Sequence, residues 1–278
     1  MNASNTMICI ENAAFAYGRQ MVWQDLNLEV RKGDLMCLLG ANGCGKTTLL
    51  NCLHGDLRLA SGQISIEGTP IHTLPALDIA RTIGVVFQEY ATSFPYTVLD
   101  VVLMGRGPHL SMFSSPTRED RDIALSCLKN LGVLKLRDKK FTRISGGEKQ
   151  LVLIARTLCQ KPRIILMDEP TASLDFKNQA LVLGMIRKLT DLGLTIIMTS
   201  HFPNHALLCA DRVALMNDHT LVDSGDTRTI MTESNLKKTY DIDVRILSVN
   251  DPPNQEMIKF CMPSIRPDDL GDFSKDVC

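Results

Sequence analysis

The sequence is poor in aromatic residues, nearly free of net charge and without any long apolar run. Aromatics are 5% of the 278 residues, with a single Trp. A formal net charge of −1 leaves no global basic field to attract nucleic acid, which is therefore not expected as a partner. No apolar stretch approaches the ~18–20 residues that cross a bilayer. Met1 to Ile10 lacks the basic and long apolar regions of a secretory signal. A cytosolic chain is expected, reaching a membrane only by binding an integral partner. Nine cysteines is too sparse for a disulfide scaffold, and no C-x-x-C pair occurs, which argues against a zinc knuckle or a thioredoxin-like motif. Cys37, Cys52, Cys127, Cys159 and Cys209 sit among Leu, Ile, Ala and Met, where Cys acts as a small hydrophobe. The rest is ordinary globular usage, 45% hydrophobic and 22% charged. That composition suits one large domain or two small ones.

Periodicity divides the chain. Leu26, Leu28 and Val30 alternate with polar residues, as in a half-buried strand. Leu35 to Leu39 is a continuous apolar run, as in a fully buried one. It stops at a Gly-rich turn, and a helix is expected from Lys46. Ile64 and Ile66 alternate again, and Ile83 to Phe87 reads as a buried strand. Helices are expected over Arg118 to Leu131, stopping at Gly132, and over Gln150 to Leu158. Ile164 to Met167 and Thr195 to Met198 read as central strands. Strands alternating with helices indicate an α/β fold with a mostly parallel sheet. Asn250 to Cys278 is rich in Pro and Asp and reads as a tail.

The turn Gly40-Ala-Asn42-Gly43-Cys44-Gly45-Lys46-Thr47 fits G-x-x-x-x-G-K-[ST] between a strand and a helix, the context that gives this motif meaning. Glycines let successive N–H groups converge on phosphate oxygens, and the helix start adds its dipole. Lys46 reaches the β- and γ-phosphates, and the Thr47 hydroxyl can ligate Mg²⁺; Thr48 follows on the same helix turn. Asp168 and Glu169 end the apolar run Ile164 to Met167. A carboxylate there suits Mg²⁺, and the next one suits a general base that polarises water.

Ser145-Gly146-Gly147-Glu148-Lys149-Gln150 resembles the signature motif of ATP-binding-cassette (ABC) ATPases. It departs mildly, with Glu148 for the usual Gln and Ile144 for the usual Leu. Other elements follow in the family's order. Tyr17 in Phe15-Ala-Tyr17-Gly18 resembles the loop that stacks on adenine. Gln88 resembles the Q-loop glutamine, Ala172 to Asp175 the D-loop, and His201 the switch histidine. Taken singly, Tyr17 reads as a core aromatic and His201 as a strand-end histidine with a local partner. The resemblance covers about Met7 to Val249. It implies a P-loop NTPase core with an antiparallel β-subdomain and a helical signature subdomain over about 89–161. The ATPase domain would occupy 1–250 and the tail 251–278. It further implies ATP and Mg²⁺ as cofactors, with Thr47, Gln88 and Asp168 toward the metal and Glu169, His201 and Gln88 in catalysis. Two chains would pair head to tail as a homodimer. Ser145, Gly146, Gly147 and Glu148 of one, with Asp175, would then meet ATP held by Tyr17 and Gly40 to Thr48 of the other.

Phe94-Pro-Tyr96-Thr-Val98 and Gly105-Arg-Gly-Pro-His109 resemble a segment of importers for iron–siderophore, haem and cobalamin chelates. Molybdate and tungstate importers of the same plan resemble it too. The implied partners are integral-membrane permease subunits, contacted through Phe94, Pro95, Tyr96 and Val98, and indirectly a substrate-binding protein. The implied place is the cytoplasmic face of the inner (plasma) membrane. A soluble non-transport ABC ATPase and a P-loop kinase are the rival readings; the first lacks its usual second cassette here, and the second needs no Ser-Gly-Gly. Cys44, beside a helix N-terminus, reads as a variable loop position or as a thiol of lowered pKa open to oxidation.

Overall fold

The computed structural model describes residues 5–87, 95–111, 114–251 and 256–264. Gln88 and Phe94 lie outside these residues.

The chain opens with a long hairpin, β1 (Thr6–Tyr17) and β2 (Gln20–Arg31). With β4 (Ser61–Ile66) and β5 (Thr69–Pro70) it forms a four-stranded antiparallel sheet in the order β2-β1-β4-β5. Between them run β3 (Leu35–Gly40), buried at every residue, and α1 (Lys46–His54). The short α2 (Ala76–Thr82) leads into β6 (Ile83–Val86).

The helical region comprises α3 (Val98–Leu103), α4 (Arg118–Asn130) and α5 (Gly146–Cys159). Each begins with a capping box, built by Thr97 and Asp100, by Thr117 and Asp120, and by Ser145 and Glu148. Such caps satisfy orphan amide donors at a helix start. The Gly105-Arg106 pair is the hinge pin of this lobe. Arg106 is buried, pairs with Asp120 at 2.8 Å and donates to the Cys159 carbonyl at 2.9 Å, so it ties the start of α4 to the end of α5. The Arg106 guanidinium holds the Asp120 carboxyl at about 2.

The chain then returns through β7 (Ile164–Met167), α6 (Phe176–Asp191), β8 (Thr195–Ser200), α7 (Pro203–Cys209), β9 (Arg212–Asn217) and β10 (Thr220–Asp226). These strands complete a six-stranded sheet in the order β10-β9-β3-β8-β7-β6, parallel except for the β9–β10 pair. Alternate residues of β3 feed two cores. Leu35, Cys37 and Leu39 face the cluster shared with α3 to α7, while Met36 and Leu38 face the antiparallel sheet and α1. This is the mixed α/β architecture expected from the strand–helix alternation.

After α8 (Thr227–Ile230) and α9 (Glu233–Tyr240), the chain forms a further hairpin, β11 (Val244–Asp251) and β12 (Glu256–Pro263), paired from Val244↔Pro263 to Asp251↔Glu256. The tail expected from residue 251 is corrected here, because the boundary falls inside this hairpin. Pro252, Pro253 and Asn254 break the alternation, but Ile246 and Cys261 sit opposite one another against the rest of the fold.

Candidate functional site

β3 ends at Gly40 and the chain turns into α1 through Gly43 (φ 86°) and Gly45 (φ 97°), a left-handed conformation that glycine enters without cost. Gly45 is the N-cap of α1 and makes no side-chain cap bond, so the first amides of the helix stay open to an external acceptor. A Cβ on Gly45 would come within 2.7 Å of both Val22 and Trp23. The antiparallel sheet therefore forms the floor of the loop. Trp23, fully buried, is a supporting residue that motif reading missed; being the sole Trp of the chain was its signal.

Lys46 donates to the carbonyls of Gly40 (2.8 Å) and Ala41 (2.9 Å), which hold its ammonium over the loop. A cavity of about 310 Å³ is lined by Asn42, Gly43, Gly45, Lys46, Thr47, Thr48 and Glu169. A larger one, about 510 Å³, lies between the end of α1, β4 and α2, away from these groups.

The end of β7 delivers two carboxylates: Glu169 lines the first cavity, and Asp168 stands behind Thr47. Asp168 Oδ1 accepts from Thr47 Oγ1 (3.2 Å) and from Thr199 Oγ1 (2.7 Å). Thr199 also accepts from the Glu169 amide at 2.8 Å, so one hydroxyl on β8 fixes both acidic positions. Sequence reasoning had passed over Thr199; a Thr at the end of an apolar strand was the available sign. Glu169 has a left-handed backbone, φ 43°, and its carboxylate meets His201 Nδ1 at 3.1 Å. His201 follows β8, and behind it Ser200 Oγ contacts His205 Nδ1 at 3.0 Å. Burial, then the neighbouring His201, pushes the His205 pKa below its usual value.

Tyr17 is 54% exposed, which removes the core-aromatic reading. It stands edge-on to Phe15 at 4.9 Å, and Phe15 lies 5.9 Å from Trp23, so an aromatic row runs from the loop floor to the surface. Ser145, Gly146, Gly147 and Glu148 do not line the loop cavity of their own chain. A Cβ on Gly147 would overlap Asn178 of α6, so this glycine allows a close helix contact. The Glu148 carboxylate accepts from the Ser145 amide (2.9 Å) and hydroxyl (3.1 Å), bonds that hold its pKa down.

Two expectations change, for Cys44 and Val98. Cys44 points behind the loop; burial raises its pKa, so the low-pKa thiol reading is withdrawn. Asp175, expected to meet the other chain's ATP, likewise does not line the cavity of its own chain; it caps α6, accepting from the Asn178 amide at 2.8 Å. Val98 is fully buried inside the helical lobe and is no surface contact, whereas Tyr96 is 39% exposed.

An uncapped helix start, a glycine loop, a lysine over it and a hydroxyl–carboxylate pair at the end of β7, two strands away, define a P-loop nucleotide-binding protein. The family model for ABC transporters matches residues 23–172, and the chain belongs to that family, the ATP-binding ATPases coupled to transport. It is 37% identical to the molybdate import ATP-binding protein MolC of Haemophilus influenzae, over 85% of this chain and 88% of that one. It is 33% identical to the iron(3+)-hydroxamate import ATP-binding protein FhuC of Bacillus subtilis, over 91% and 92%. Among solved structures it resembles a metal-chelate type ABC transporter in an inward-facing conformation, with a TM-score of 0.85, 34% identity, and coverage of 94% of this chain and 98% of that one. No described helix is long and apolar enough to cross a membrane, and ATPases of this family act with membrane permease components.

Proposed function

We propose that this chain is the ATP-hydrolysing subunit of an importer for a metal chelate of the iron–siderophore, haem or cobalamin type. The likeness to the metal-chelate type transporter, spanning 94% of the chain, carries this reading. A hemin import ATP-binding protein of Thermobifida fusca, 35% identical over 84% of the chain, supports it. The 37% identity to MolC favours molybdate as the second reading.

In this reading the chain sits on the cytoplasmic face of the plasma membrane against its permease, with Tyr96 in the contact, and serves a substrate-binding protein only indirectly. ATP lies with its adenine against Tyr17 and its phosphates under the open amides of Gly43 to Thr48. Lys46 shifts from the Gly40 and Ala41 carbonyls to the phosphates. The hydroxyl of Thr47 and the carboxylate of Asp168 are hard oxygen donors 3.2 Å apart, suited to Mg²⁺; the family resemblance adds Gln88. Bound Mg²⁺ supplies charge neutralisation on the phosphates. Glu169 takes the proton of the attacking water, and His201 holds that carboxylate in place. Ser145 to Gly147 of a second copy close the site, so ATP favours the dimer and its hydrolysis releases it.

The test is Glu169→Gln, which keeps shape and loses the base. Turnover should fall about 10²–10⁴-fold, and size-exclusion chromatography should show an ATP-dependent dimer that Lys46→Ala abolishes. A protein that binds ATP yet stays monomeric at high concentration counts against the shared site. Uptake of labelled ferric siderophore against labelled molybdate, in cells carrying the chain with its permease, decides the cargo.

A further inference from the structure

The C-terminal hairpin is gripped where its strands turn their backbone groups outward. Ile246 and Cys261 face each other across the ladder. The Ile246 amide donates to Glu233 Oε1 at 3.0 Å. On the opposite edge, Asn204 meets both backbone groups of Cys261. Its Nδ2 donates to the Cys261 carbonyl at 3.1 Å, and its Oδ1 accepts from the Cys261 amide at 2.7 Å. The side-chain amide thus acts as one rung of an added strand.

Asn204 lies in the first turn of α7, three positions after His201. That helix start makes no side-chain cap bond. The hairpin is itself anchored at its root. Tyr240, the last residue of α9, packs with Ile246 against the buried cluster that contains Cys261.

We propose that Asn204 is a positioning residue for ATP hydrolysis: by gripping β12 at Cys261 it fixes the first turn of α7, and with it His201, against Glu169. This rests on the roles given to Glu169 and His201 above. Asn204 does not line the loop cavity, so its loss displaces the switch loop without removing a reacting group. Small misplacements of such groups slow a reaction strongly while leaving substrate binding intact.

The experiment is a double-mutant cycle on the full chain, read by steady-state and single-turnover ATP hydrolysis. Asn204→Ala should lower kcat about tenfold with KM for ATP unchanged within about twofold. Asn204→Asp keeps the acceptor for the Cys261 amide, loses the donor to its carbonyl and should recover part of the rate. In a His201→Ala background Asn204→Ala should cause no further loss, because both act through one contact. A general weakening of the fold would multiply with His201→Ala instead. Val249→Ser, on the exposed outer side of the hairpin, is the control and should leave the rate unchanged. The proposal is overturned if Asn204→Ala hydrolyses at the wild-type rate while His201→Ala is slow, or if the two losses multiply. Wild-type turnover by His201→Ala itself would point to failure of the switch-histidine reading, and the proposal would go with it. If Asn204→Ala does not purify folded, Asn204→Asp carries the same cycle with the same outcomes.

Discussion

Two helix starts in this molecule are prepared for an anion in opposite ways. At α1 the cap is Gly45, which offers no side chain, and the first amides are left open. At α5 the cap is Ser145, whose amide and hydroxyl already hold the Glu148 carboxylate. The first arrangement is ready for phosphate in a single chain. The second carries an internal anion, which in the proposed dimer an incoming phosphate would have to displace. The comparison teaches that the parallel-sheet lobe is built to bind an anion by itself; in the dimer proposed above, the helical lobe would respond to what the other lobe of a second copy has bound.

Substitutions can break this contrast. The largest effect is expected from Lys46→Ala, which removes the one ammonium held over the loop by the Gly40 and Ala41 carbonyls. Hydrolysis should fall at least ~10²–10³-fold and ATP binding should weaken, while cooperative unfolding in a thermal melt persists. Gly147→Ala attacks the other helix start. Its Cβ overlaps Asn178 and pushes α5 from α6. Turnover should drop roughly tenfold, with ATP affinity of the single chain unchanged by equilibrium titration. An affinity loss as large as the turnover loss would show that the two lobes do not divide the labour. Glu148→Gln keeps the cap and removes the internal charge. The ATP-dependent dimer should tighten about two- to fivefold, the scale of a single dipole–charge interaction, as measured by ultracentrifugation.

The smallest effect is on stability. Asp120 is held at about 2, below its ordinary 3.8, by Arg106. Between those values the unfolded chain binds more protons than the folded one, so stability rises with pH. The contribution is present above about pH 4 and disappears as pH falls toward 2. Arg106→Ala should lower Tm by several degrees at neutral pH and flatten this acid slope, with ATP binding retained. An unchanged slope would show that the pair does not hold the helical lobe.

The phosphate loop was legible in the sequence because its function is carried by the backbone. A loop that must curl at Gly43 and Gly45 tolerates few other residues, so the motif survives as a string. The carboxylates at Asp168 and Glu169 were legible for a similar reason, since an apolar strand that ends in two charges marks its own end. Thr199, Trp23 and Asn204 left no string. Each makes its contacts with residues far along the chain, and any small hydroxyl, aromatic or amide at those points gives only a weak sign. Val98 was misplaced because an apolar residue in a loop-like stretch can face solvent or core, and only the packing of α3 decides. The hairpin after residue 244 was hidden by Pro252 and Pro253, which mask the alternation on either side of them.

The left-handed backbone of Glu169 has a consequence for how this protein would change under selection. A residue with a Cβ at φ 43° is strained by roughly 1 kcal/mol, strain that glycine relieves. The position keeps glutamate, whose carboxylate lines the nucleotide cavity. Glu169→Gly should therefore give a chain that melts later and hydrolyses ATP at least about 10²-fold more slowly. A library screened for heat resistance would enrich the slower chain, and a library screened for uptake would restore the strain. At this position robustness and work are opposed, and the sequence records which of them was kept.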